Sequence, residues 1–136
     1  MNQIAPARLP IVEFAFDVEA EHAHHNETDT YKDLYVTMQP IFGWPVIRDW
    51  KHPGNAWVHR LPLAELGTLC GQRGVPCLAC LVRHQDGSIG DGYVTGHYNT
   101  HGVSLLRPGH PYRCPCCRYY INRAARAETQ LAWAQF

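Results

Sequence analysis

No stretch of the chain stays apolar for anything near the roughly 18 residues that a membrane-spanning helix requires. Net charge is missing as well, because 12 Lys and Arg cancel 12 Asp and Glu, so the overall balance marks neither a polyanion binder nor an acidic tail. The opening "MNQIAPARLPIVEFAF" has no apolar core followed by a small-residue cleavage site, and the expectation is a soluble, cytoplasmic protein without membrane contact. There is no internal repeat, no low-complexity tract and no nucleophile elbow. No phosphate-cradling glycine loop precedes a helix either; "GQRGVP" runs into a cysteine pair instead. Nothing therefore marks a small-molecule substrate.

What is present is a chain of 136 residues, 46% hydrophobic, which is one domain's length and enough apolar material for a real core. Residues 1–136 read as a single domain with two differently charged parts. Residues 1–69 hold five Lys/Arg against nine Asp/Glu, while residues 70–136 hold seven Arg, no Lys and three acids. Any anion-seeking surface belongs to the second part.

Val12, Phe14, Phe16, Val18 and Ala20 alternate with Glu13, Asp17 and Glu19, the period of a half-buried strand over 11–20. "EHAHHNETDT" then reads as a polar loop. Strand-like pieces at 34–38, 45–50 and 56–60, divided by Pro40, Gly43, Pro53 and Gly54, predict an antiparallel sheet in a β-rich N-terminal part, 1–69. "PLAELGTLCG" predicts a brief helix with Pro62 in its first turn and Gly71 at its end. Glycines beyond Cys80 favour turns between short strands at 92–95 and 102–107. Past Pro115 there is neither Pro nor Gly, and Tyr120, Ala124, Ala127, Leu131 and Ala134 recur at helical spacing, so a closing helix is expected.

Cys77-Leu78-Ala79-Cys80 and Cys114-Pro115-Cys116-Cys117 each hold a pair with two residues between, and 33 residues separate them. Two such turns can converge four thiolates on one tetrahedral ion, so a structural Zn²⁺ held by Cys77, Cys80, Cys114 and Cys117 is expected to staple residues 70–136. Cys116 then points away and Cys70 is a buried thiol. The order of knuckle, glycine-rich hairpins and a C-x-x-C opening a helix resembles the treble-clef class of zinc domains. That resemblance implies Cys114 as N-cap and Pro115 as first helical residue; a zinc ribbon is the competing geometry. The fold class expected is α+β, a small antiparallel sheet joined to a Cys₄ zinc module with a C-terminal helix.

Arg118, Arg123 and Arg126 follow the second pair, with Arg107, His110 and Arg113 upstream and Tyr112, Tyr119 and Tyr120 among them. Arginine interleaved with aromatics suits phosphates and unstacked bases, and it equally offsets the negative charge of four thiolates around Zn²⁺. Trp44, Trp50 and Trp57 are candidates for a docking patch or for core packing.

Three enzymatic patterns compete. His97 stands midway between the cysteine pairs, 16 residues from each, which is similar to a His-Me finger (HNH) nuclease. That resemblance implies His97 as the base that activates water, with His101, Asp91 or Asn99 as supports, although Gly96 stands where its carboxylate is needed. His25-Asn26-Glu27 with Pro76-Cys77-Leu78-Ala79-Cys80 matches the letters of a zinc deaminase across 48 intervening residues. His22, His24 and His25, flanked by Glu19, Glu21 and Glu27, carry transition-metal ligand types. The reading that accounts for most of the residues is a non-enzymatic, zinc-stabilised binding protein, a regulator, adaptor or inhibitor, docking on a protein or nucleic-acid partner.

Overall fold

The computed structural model describes residues 3–51, 60–111 and 114–136. Five α-helices dominate it: α1 (Leu9–His24), α2 (Tyr31–Phe42), α3 (Leu63–Arg73), α4 (Asp91–His101) and α5 (Pro115–Gln135). Strands β1 (Asp29–Thr30) and β2 (Val82–Arg83) form one two-residue parallel pair, with Asp29 opposite Val82 and Thr30 opposite Arg83. The antiparallel sheet expected from the sequence is absent among the described residues. Segment 11–20 is helix α1, 34–38 lies in α2, 92–95 in α4, and 45–50 and 102–107 hold no strand. Segment 56–60 falls outside the described residues except Arg60.

The physical reason lies in α1. Its apolar residues fit both periods, because Ala15 and Ala23 fill positions that the alternation ignores. The buried set is Val12, Ala15, Phe16, Glu19 and Ala23, a helical stripe. Sixteen residues rich in Ala and Glu favour helix over strand on length and propensity. α2 begins where the Thr30 side chain accepts a hydrogen bond from Asp33 N–H at 3.1 Å, an N-cap that the strand reading overlooked.

The core forms where α1, α3, α4 and α5 close around a 3-10 turn, Leu78–Leu81. The whole run Cys77–Val82 is shielded from solvent. α3 and α4 approach most closely, through small residues. A Cβ added to Gly67 would overlap the Gly96 carbonyl oxygen and lie 2.5 Å from its Cα, and Thr100 Oγ1 donates to Gly67 O at 2.8 Å. Gly71 faces the Thr100 backbone in the same seam, so it serves close approach and α3 runs on to Arg73, ending at left-handed Gly74.

This core overturns the zinc module. Cys77 and Cys80 lie inside it instead of on a knuckle, the described residues between them and Cys114 hold a single antiparallel bridge, Arg83 to Ile89, and helix α4 in place of glycine-rich hairpins, and residues 1–69 contribute helices to it rather than a β-rich part. In α5 the buried residues are Cys117, Ile121, Ala125, Glu128, Thr129 and Ala132. The helix therefore presents a face one position away from the Tyr120–Leu131 stripe, both of whose large members are exposed.

Candidate metal centre

Cys114 caps α5 and Pro115 is its first residue; the N–H groups of Cys117 and Arg118 bond the Cys114 carbonyl at 3.1 and 3.0 Å. A proline there costs nothing, since that N–H has no helical partner. The turn gathers Cys114, Cys116 and Cys117, and the preceding loop brings His110 over them. His110 Nδ1 stands 3.2 Å from Cys114 Sγ and 3.3 Å from Cys116 Sγ; Cys114 and Cys116 sulfurs are 2.9 Å apart, and those of Cys116 and Cys117 4.0 Å. All four ligand atoms lie within 4.8 Å of one another, close enough to share one metal ion. Cys117 is buried, Cys114 half-buried, and Cys116 and His110 exposed.

The electrostatics of this turn favour thiolate. Hydrogen bonds from the Cys116 thiol, from His110 and from the Cys117 N–H pull Cys114 down to about 6, while the thiolate beside it pushes Cys116 up to about 11. The free N–H groups of a helix start act in the same direction. The expected partners behave oppositely. Burial pushes Cys80 up to about 12 and raises Cys77 as well, which holds both as neutral thiols. Cys70 likewise rises to about 12 through burial, and its sulfur accepts from Leu78 N–H at 3.5 Å. The sequence reading missed His110 and Cys116; its available clue was four potential ligand residues, one His and three Cys, within "HPYRCPCC".

His97 and His101, one turn apart on α4, meet Glu128 of α5. Glu128 is 5% exposed and accepts from Cys77 N–H (2.8 Å) and Tyr93 O–H (2.8 Å), with His101 Nε2 at 2.6 Å. His97 Nδ1 lies 3.0 Å from Val103 O, and its ring contacts that of His101 at 4.6 Å. Burial holds the His97 pKa below the usual value. Every carboxylate oxygen of Glu128 is thus engaged, so the trio reads as a satisfied network joining α4, α5 and the buried turn. His97 sits on helix α4 rather than between the short strands expected at 92–95 and 102–107. Glu128 was missed too, although it is the only acid in α5 and falls on the buried face.

The remaining candidates separate. Arg118 and Arg126, with Arg83, line a polar groove of ≈ 440 Å³ together with Ser88, Asn122 and Gln130; Arg123 is outside it. Arg118 Nη2 donates to Ile89 O at 2.9 Å and Arg83 Nη2 to Thr129 Oγ1 at 3.0 Å, which orients both guanidinium groups. His24 bonds the Phe136 carbonyl at 2.8 Å and His25 the Glu21 carboxylate at 2.9 Å, so the three neighbouring histidines do not converge. This also leaves His25 apart from Cys77 and Cys80, against the deaminase pattern. Trp44 is buried against Tyr35 and Phe42, Trp50 is half-buried beside Tyr35, and Trp57 lies outside the described residues.

Fold and site together define a mostly helical protein with a Cys/His cluster able to hold a metal ion at the start of its last helix. No family model, curated protein or solved structure matches the chain. No helix among the described residues is long and apolar enough to cross a membrane.

Proposed function

We propose that the chain is a zinc-stabilised helical binding protein whose docking surface is the arginine groove on α5. The convergence of His110, Cys114, Cys116 and Cys117 carries the reading. Three sulfurs and one imidazole form a soft, four-ligand set suited to tetrahedral Zn²⁺, and a filled set leaves no coordination position for a substrate. The ion's task is then mechanical. It ties the loop after α4 to the first turn of α5, the helix that also carries Arg118 and Arg126. A groove lined by three arginines and only one acid, Asp86, suits an anionic group such as a phosphate or a carboxylate of a partner.

The test has two parts. Protein purified without chelator should carry one zinc per chain, lost in Cys114→Ser and Cys117→Ser. Because Cys117 alone of the four ligands lies inside the core, Cys114→Ser should keep α1–α4 folded, in contrast to the loss of the whole C-terminal half that a Cys₄ staple would entail, while Cys117→Ser also places a hydroxyl in the core. Binding of a labelled single-stranded oligonucleotide or an acidic peptide should weaken in Arg118→Gln/Arg126→Gln. For the oligonucleotide, a log–log salt slope of about 2 is expected if two to three phosphates are engaged. Zinc-free protein, or binding indifferent to both arginines, would refute the corresponding half.

A further inference from the structure

Apart from the Cys/His cluster, the end of α1 and strand β1 bring Glu19, His22 and Asp29 together, with one ligand atom from each within 4.8 Å of the others. Glu19 is completely buried and Asp29 is 5% exposed. Apart from the approach of the two carboxyl groups to each other and of His22 to Asp29, both Glu19 oxygens and Asp29 Oδ2 receive no hydrogen bond, and no Lys or Arg pairs with either carboxylate among the described residues. Such a pair is costly to bury, since each uncompensated carboxylate loses several kcal/mol of solvation. Buried polar atoms are nearly always satisfied, so an oxygen from each carboxylate converging with the imidazole of His22 calls for a positive partner.

Three partners are chemically possible: a proton shared between the carboxyl groups, a positively charged imidazole at His22, which the 3.4 Å separation from Asp29 leaves at the edge of hydrogen-bond range, or a cation. Burial and the neighbouring Asp29 both favour the protonated form of Glu19. A single proton, however, leaves the second oxygen of Glu19 buried without a donor. The imidazole decides between them. Glu19 and His22 are spaced i, i+3 on one face of α1, which aims both side chains at one volume. His22 Nε2 stands 3.4 Å from Asp29 Oδ2, and its Nδ1 stands 3.6 Å from Glu27 Oε1. The first separation is long for a hydrogen bond, yet two ligands each about 2.1 Å from one ion lie roughly 3.0–3.4 Å apart. The His22 side chain is 31% exposed, which gives an ion a route from solvent past the imidazole.

We infer that Glu19, His22 and Asp29 form a binding site for a divalent first-row cation of the manganese–iron class. Two carboxylates and one imidazole make a harder donor set than the thiolates at α5, and the carboxylates neutralise a dication. The ion pins the end of α1 to β1. Asp29 Oδ1 is already held by Thr30 N–H at 2.8 Å, which leaves Oδ2 for the metal. This site is independent of the proposed zinc site and of its docking role.

Mn²⁺ is the probe, since it has little affinity for thiolates. Full-length protein with zinc already loaded is titrated with Mn²⁺ while the electron paramagnetic resonance signal of the free aquo ion is followed. One Mn²⁺ per chain should disappear from that signal and the melting temperature should rise. Glu19→Gln and His22→Ala should each weaken uptake by at least about tenfold with unchanged zinc content, far-ultraviolet circular dichroism confirming the fold. Glu128→Gln should not alter uptake. No uptake at about millimolar Mn²⁺, or equal uptake in both ligand variants, overturns the assignment. So does a Glu19→Gln protein more stable than wild type in the absence of Mn²⁺ uptake, the signature of a shared proton.

Discussion

Truncating Glu128 to alanine tests whether the network at the centre of the molecule is structural. The carboxylate accepts from two fully buried donors, Cys77 N–H and Tyr93 O–H, and contacts His101, whose side chain is 40% exposed. In Glu128→Ala the imidazole can turn to water, whereas the two buried donors cannot. Each buried donor left unsatisfied costs about 1–3 kcal/mol, and breaking a buried charged network costs about 3–5 kcal/mol in all. Against a total stability of about 5–15 kcal/mol this is a large loss, and it should lower the melting temperature by roughly 10 °C. Glu128→Gln preserves shape and one acceptor and should cost about 1–2 kcal/mol. Urea unfolding followed by circular dichroism measures both, and Tyr93→Phe completes a double-mutant cycle with a coupling energy of about 1 kcal/mol or more. Stability of the alanine variant within about 0.5 kcal/mol of wild type would refute the reasoning. So would a rise in wild-type stability on added Zn²⁺, in protein whose Cys/His cluster is already loaded, that Glu128→Gln abolishes, which would mark His97, His101 and Glu128 as a metal site.

In metal-free protein Cys114 should be the first cysteine alkylated, with a rate that rises through pH 6 because its thiolate forms near there, while Cys70 and Cys80, both pushed up to about 12, remain unmodified at neutral pH. Mass spectrometry over a pH series checks the order, and saturating Zn²⁺ should suppress the reaction. Gly67→Ala gains about 1 kcal/mol of helix propensity, but its Cβ meets the Gly96 backbone, which cannot swing aside as a side chain can. Net destabilisation of about 2 kcal/mol or more is expected in thermal unfolding, and a neutral or stabilising result would show that α3 and α4 pack more loosely than they stand here.

Signals that act within a turn were readable from the residues alone. Pro62 ahead of α3, and Cys114-Pro115 opening a helix free of Pro and Gly, both act through local capping and breaking, and the helices begin there. The density of cysteine beside His110 was also visible, and it concerns one continuous segment. Tertiary packing decided the rest. The run 11–20 carries apolar residues at both periods, so only its neighbours α3 and α5 determine which ones are buried. Cys77 and Cys80 have the spelling of a metal knuckle, yet four helices enclose them, and the cysteine-containing set that converges among the described residues is His110, Cys114, Cys116 and Cys117. Gly71 could end a helix or allow two to touch, and Thr100 across the seam selects the second. Glu19 with Asp29, and Glu128 with His101, are 10 and 27 positions apart. Their contacts exist only once the chain has folded, because spacing along a backbone constrains neighbours within a turn and leaves distant pairs to the core.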